Sequence, residues 1–366
     1  MTCIPLTLFP DSMFSLPILE DQLAHYVNGG SAEAFAEPFA FDNVPVVTRE
    51  QSLAEDRNKK LTTATPTLKA PSIGPKKADA TSAADAARDA TVASQKYAQQ
   101  LQSVPEFSSY GPVLKSSSPV ELTESETEYV VSAVKHLFKE HLVLQYDIKN
   151  TLADYVLGDV SVLCTASAAG EDEEASVPFE EEFLIPAPML KTDEPGTVYV
   201  SFSRPADAGF TAASFTNVLK FTLREIDPTT SEPEEGGYED EYQVEDLELT
   251  GADYVLPAFA GSFDNIWSSI PDANQAEETL QLSNAKSISE AVEMLVKSLG
   301  MQPLEGSEVA LSNSTHSLRL YGKSVGGGKV AGQVRMAYSA KSGVTVKVTA
   351  RSEEPGLAGL VVGAVS

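Results

Sequence analysis

Cysteine is almost missing from this sequence. Cys3 and Cys164 are its only two, and their wide separation suggests neither a disulfide framework nor a thiolate metal site. Histidine is nearly as scarce, with four residues. In "HLFKEH", His136 and His141 stand five apart, the wrong spacing for two ligands on one helical face. They are expected near the ends of neighbouring strands. No long apolar run occurs either: "GLAGLVVGAV" near the C-terminus is too short to span a bilayer. The opening "MTCIPLTLFPDSMFSLPILED" lacks the basic start of a signal peptide. These absences point to a cytoplasmic protein. Positive charge is outnumbered, 26 Lys and Arg against 53 Asp and Glu, and a surface this acidic repels nucleic acid and anionic membrane. Catalytic motifs are lacking as well. "SVGGGKVAG" does not have the spacing of a phosphate loop and reads as a hairpin turn. No enzyme activity, cofactor, metal or small-molecule substrate is expected.

The negative charge is spread unevenly. Residues 1–28 carry −3, residues 29–92 carry −1 and residues 93–366 carry −23. That division follows the composition. "LPILEDQLAHYV" has helical apolar spacing, but one helix cannot bury its stripe alone. From 29 to 92 the chain shifts to Ala, Thr, Pro, Lys and Asp, a linker composition too poor in large apolar residues to offset ordering. Structure resumes at "ATVASQKYAQQLQSVPEF", a helix ending before Pro105. Strand signals with a period of two follow, among them "HLVLQYDIKNTL", with Leu142, Leu144, Tyr146 and Ile148 on one face. Several such runs separated by turn residues predict an antiparallel sandwich over 93–253. After Gly251 the pattern changes. "GSFDNIWSSI" reads as a short helix and "ETLQLS" as a strand. "SISEAVEMLVKSLGM" is a helix opened by a capping box of Ser287 and Glu290. "HSLRLYG", "VAGQVRMAYS" and "GVTVKVTARS" read as three strands. A helix against an antiparallel sheet makes 254–366 an α+β domain.

Two charge runs and one aromatic stand out. From Glu225 to Asp253 there are twelve acidic residues and no Lys or Arg. Alternating Val244, Leu247 and Leu249 mark a strand there, the last of the sandwich, whose acids form a solvated edge that discourages stray pairing. Between His316 and Arg351 there are seven basic residues and no acidic one. If Val344, Val346 and Val348 face the helix, Lys347 and Arg351 lie opposite, and Arg319 and Arg335 point outward too. A basic patch is expected, suited to an acidic peptide or another subunit, since the aromatic–basic interleaving of nucleic-acid binders is lacking. Trp267 is the only tryptophan. Its ring is either core or the lining of a groove for a peptide anchor.

At this point the residues resemble a family. "SSPVELTESETEYVVSAVKHLFKEHLVLQYDIKNTLADYVLGDV" is similar to the start of the appendage, or ear, of the gamma subunit of coatomer. "LKFTLREIDPTTSEPEEGGYEDEYQVEDLELTGADYV", "SISEAVEMLVKSLGM", "THSLRLYG" and "VTVKVTARS" resemble later parts of it in the same order. "FSLPILEDQLAHYV" resembles, more weakly, the last helix of that subunit's trunk. The stretch from Ala166 to Met189, with its "GEDEE", departs from the pattern. The resemblance implies an immunoglobulin-like β-sandwich (93–253) and an adaptin-type α+β platform (254–366), preceded by a trunk remnant (1–28) and a flexible linker (29–92). It implies a non-catalytic subunit of the COPI coat that works in retrograde transport from Golgi to endoplasmic reticulum and within the Golgi. Partners would be the other coatomer subunits and an Arf GTPase-activating protein, with peripheral attachment to Golgi membrane through the coat. In the family the docking site centres on a platform tryptophan with basic residues nearby. Trp267 matches that tryptophan and Arg351 a basic position; Arg335 is similarly placed, and Lys347 follows from strand parity alone. The runner-up is the appendage of a clathrin-adaptor large subunit binding short endocytic motifs. A hydrolase or transferase on an unfamiliar sandwich is a third reading.

Overall fold

A computed structural model describes residues 83–365, apart from 125, 170–176, 206–208, 231, 283 and 341–342. The helix expected at "LPILEDQLAHYV", the stretch 29–82 and the acidic "GEDEE" lie outside the described residues.

Helix α1 (Ala83–Gln102) begins within the stretch read as linker. "AADAARDATVAS" is rich in alanine, which carries the least entropic cost in a helix, so helix forms there without a large apolar stripe. Near its C-terminal end Leu101 is buried with Phe107, Phe138, Val143 and Tyr199. Gln100 donates to the Tyr199 hydroxyl at 3.0 Å. A single 3-10 turn at Pro105–Phe107 ends the segment.

Ten strands then build two antiparallel sheets. They are β1 (Lys115–Ser116), β2 (Val120–Glu121), β3 (Tyr129–Leu137), β4 (His141–Asn150), β5 (Tyr155–Ala168), β6 (Glu180–Ile185), β7 (Ala187–Leu190), β8 (Pro195–Ser203), β9 (Ala213–Glu225) and β10 (Tyr238–Leu249). One sheet has the order β1-β3-β4-β8-β6, with β2 also on β3, and the other the order β10-β9-β5-β7. The run "FEEEFLIPAP" is divided between them. Pro186 has no N–H to give a ladder, so β6 stays on β8 while β7 crosses to β5. Leu142, Leu144, Tyr146 and Ile148 share one buried face, packed with Val162, Phe215 and Leu219 of the opposite sheet. The Tyr146 hydroxyl donates to Asn217 Oδ1 at 2.6 Å across this core, which satisfies two buried polar groups at once.

His136 points away from that core, onto the face that α1 covers. It is fully buried, between Ser116 Oγ at 2.9 Å and Gln145 at 3.1 Å, and Tyr97 of α1 meets its ring edge-on. Burial drives its pKa down to about 4, because a charged imidazole there would lose its hydration.

The third sheet holds β11 (Val255–Pro257), β12 (Gln275–Leu282), β13 (Gln302–Pro303), β14 (Thr315–Ser324), β15 (Lys329–Ser339) and β16 (Gly343–Ser352). Its order is β11-β14-β15-β16-β12, with β13 on β14. Helices α2 (Phe263–Ser269), α3 (Ile288–Leu299) and α4 (Leu357–Gly363) accompany it. Val344, Val346, Val348 and Ala350 face α3 and α4, which bury Ile288, Val292, Leu295, Leu357 and Val361 against them. The start of α3 follows its capping residues: Ser287 Oγ accepts from the Glu290 amide at 3.1 Å, and Glu290 reaches back to the Lys286 amide at 2.8 Å. Left-handed Gly300 (φ 61°) ends it.

Between the sandwich and the third sheet lies a 3-10 turn at Gly251–Tyr254, closed by a capping box of Thr250 and Asp253. Two lysines of the sandwich reach it. Lys135 donates to Asp253 at 2.7 Å and to the Glu248 carbonyl at 2.5 Å, and Lys115 to the carbonyls of Ala252 and Val255 at 2.6 and 2.5 Å. A Cβ on Gly251 would lie 2.3 Å from the Leu360 backbone, so α4 presses directly on the turn.

Candidate functional site

The antiparallel register fixes which side chains share the face opposite α3. Tyr321, Ala331, Arg351 and Gln275 are successive cross-strand partners, and two residues along stand Arg319, Gln333, Thr349 and Glu277. The next row is Ser317, Arg335, Lys347 and Thr279. Alternation therefore brings Arg335, Lys347 and Arg351 to one face, but not to one point. Arg335 and Lys347 are directly opposed, whereas Arg351 lies four residues along β16, roughly 13 Å at about 3.3 Å per residue.

Helix α2 crosses the Arg351 end of this face. Phe263, Ile270, Leu304, Tyr321 and Ala331 form a small core there, with Ile266 and Trp267 packed against it. Phe263 and Trp267 are four apart, hence neighbours on the helix, and their rings stack at 5.4 Å. Phe263 is buried and Trp267 is half-buried. The Arg351 guanidinium lies 4.4 Å from the indole centroid, a geometry worth about 0.5–2 kcal/mol. The same guanidinium donates to the Trp267 carbonyl at 3.1 Å and to Gln275 at 2.9 Å, and pairs with Asp272 at 2.6 Å. Arg351 thus pins α2 to β16 and presents a fixed cation beside the indole. Arg319 lies over the neighbouring ring, 5.5 Å from the Phe263 centroid. Each of the two rings thus has an arginine over it.

The one-signed segment from His316 to Arg351 does not make a one-signed surface. Arg319 meets Glu305, Lys329 meets Glu353 at 3.0 Å, Lys347 meets Glu277 at 3.0 Å, and Arg351 meets Asp272. The expected basic patch is largely neutralised, because the acids come from strands and loops outside that segment. Glu305 also accepts from the Phe263 amide at 3.0 Å. That bond, with Arg319 beside it, holds its carboxyl below the usual range. Arg335 is exposed and contacts the Gln333 side chain at 3.5 Å. Sequence reasoning passed over Phe263, although its i, i+4 spacing from Trp267 was a usable signal. Asp272 and Gln275 carried no signal, since only folding sets them beside Arg351.

These features define a class: a largely β appendage of two lobes, a sandwich of antiparallel sheets followed by a helix-backed sheet with an aromatic–arginine surface. Profile comparison gives the family. Residues 95–250 match the coatomer gamma subunit appendage platform subdomain, and residues 252–365 match the coatomer subunit gamma-1 C-terminal appendage platform. The chain is 38% identical to the probable coatomer subunit gamma of Schizosaccharomyces pombe, over 97% of this chain and 37% of the relative. It is 39% identical to coatomer subunit gamma-1 of Bos taurus, over 93% of this chain and 35% of the relative. Human coatomer subunit gamma-2 is 41% identical over 70% of this chain and 29% of its own length. The chain belongs to the coatomer gamma family, and these matches place it in the family's appendage region. It spans about a third of the length of these relatives. Among the described residues no helix is long and apolar enough to cross a membrane.

Proposed function

We propose that this chain acts as a non-catalytic docking appendage of the COPI vesicle coat, in Golgi-to-endoplasmic-reticulum and intra-Golgi transport. Its lobes are an immunoglobulin-like sandwich (93–253) and an α+β platform (254–366). The platform recruits accessory proteins, an Arf GTPase-activating protein among them. The rest of the assembly joins the chain to other coatomer subunits and, peripherally, to the cytosolic face of the Golgi membrane. Trp267 is the anchor and Arg351 its fixed cation; Arg335 and Lys347 extend the contact along the same face. One observation carries this reading: a half-buried tryptophan on the face opposite α3, with an arginine held over its ring by three further partners. Rigid aromatic–cation pairs of this kind suit protein recognition, because little side-chain entropy remains to be lost on binding. The clathrin-adaptor reading is weaker, since the relatives carry the coatomer gamma name.

The test is a binding titration of the chain with the non-catalytic region of an Arf GTPase-activating protein, wild type beside Trp267→Ala. We expect affinity to fall about tenfold or more, as for a central aromatic anchor, with the melting curve showing a folded variant. Equal binding by the two would remove Trp267 from the interface.

A further inference from the structure

The platform reading leaves the acidic strand of the sandwich unexplained. Among the described residues β10 is the terminal strand of its sheet, paired only with β9. Its amide pattern shows which groups face outward. The Glu241 N–H donates to its neighbour Asp240 Oδ1 at 2.9 Å, and the Glu245 N–H donates across the edge to the Leu122 carbonyl at 3.0 Å. In an antiparallel ladder the outward-facing residues alternate, so Glu239, Glu241 and Gln243 turn their N–H and C=O groups to the open side. Leu122 covers the edge at Glu245, beside the bulge between Val244 and Leu247. Among the described residues the open stretch runs over Tyr238–Gln243.

Charge is arranged around that stretch. Glu239, Asp240 and Glu241 are all exposed. A surface groove of about 480 Å³ beside them is lined by Asp159, Ser161, Lys220 and these three acids, among others. Along β10, Lys220 with Glu241 at 3.4 Å is the one ion pair among the described residues. Both of its side chains are about half exposed or more, where such a pair contributes little. A charged edge keeps neutral and acidic strands away. A strand bearing Lys or Arg at alternate positions meets the opposite case: it gains ladder hydrogen bonds and places its cations over the groove.

We propose that the open edge of β10 over Tyr238–Gln243 docks an extended, Lys- or Arg-bearing segment of a partner protein, which adds to the sheet as a further strand. The site lies on the sandwich, apart from the Trp267 face, and does not depend on it.

The experiment uses the full chain at about 50 mM salt, where the Debye length exceeds 10 Å. The probes are a twelve-residue peptide alternating Lys and Thr, its Glu counterpart, and the Lys peptide N-methylated at alternate amides. Affinity is read by fluorescence anisotropy and amide protection by hydrogen exchange. We expect the Lys peptide to bind and to slow exchange at Glu239, Glu241 and Gln243. N-methylation, or the double change Glu239→Lys and Glu241→Lys on one face of the strand with an unaltered melting curve, should weaken it about tenfold or more, since each removes one of the two required features. Three results overturn the proposal: no binding, equal binding by the N-methylated peptide, or binding without protection of those amides.

Discussion

His136 reports on the sandwich through its proton. Its folded pKa of about 4 lies below the ordinary 6.5, so between these values the unfolded chain holds the extra proton. Stability conferred by the neutral, buried ring is complete above pH 6.5 and is lost as pH falls toward 4, by an amount on the order of 3 kcal/mol. His136→Gln removes that titration. Urea unfolding at pH 7 and pH 4.5 should show a smaller acid loss in the variant than in wild type, although carboxylates add to the slope in both. An equal loss would mean that the ring is hydrated and free to charge. Scarcity of histidine was plain in the sequence. That His136 would be walled in by Tyr97, Ser116 and Gln145 depends on α1 crossing the sheet, and a local pattern does not say where a helix lands.

Among the elements, α3 is the one most fully written in local sequence. Ser287, Glu290, the apolar stripe and Gly300 are signals that agree with one another, and the helix runs from Ile288 to Leu299 as they require. Its start should therefore be sensitive to one hydroxyl. Ser287→Ala is expected to cost about 1 kcal/mol, measured as a lowered urea midpoint at unchanged slope. The Glu290 contact to Lys286 remains in that variant, so a much larger loss would point to packing of Ser287 itself. Helix α2 is the contrasting case. Seven residues make too short a helix to persist alone, and it is held by the Phe263 and Trp267 rings and the Arg351 clamp. Its existence was readable in "FDNIWSS", but its seat was not.

At the scale of the whole molecule, the two lobes meet over Lys115 and Lys135, both reaching the turn at Gly251–Tyr254. Burial lowers the Lys115 pKa to about 8; the nearby Asp253 opposes this shift and Lys135 adds to it. Between pH 8 and the ordinary 10.5 the folded chain holds fewer protons than the unfolded one, so stability rises with pH through that window. From pH 7 to 9.5 the gain is on the order of 2 kcal/mol, and Lys115→Met should abolish that increment whatever it does to absolute stability. Above pH 10 tyrosines reverse the trend, since burial raises Tyr129 and Tyr254 to about 12. An increment that survives in Lys115→Met would assign it to another group. The sequence by itself determined the alternating strands, the capped helix, the change of pattern at Gly251 and the outward parity of Arg335, Lys347 and Arg351. All of these rest on interactions a few residues apart. Only the tertiary structure decided that Asp272 and Glu277 would quench the basic segment, that Arg351 would lie on Trp267, and that β10 would end its sheet among the described residues. Those are meetings of residues far apart in the chain, set by how sheets and helices pack, and no period of two or 3.6 encodes them.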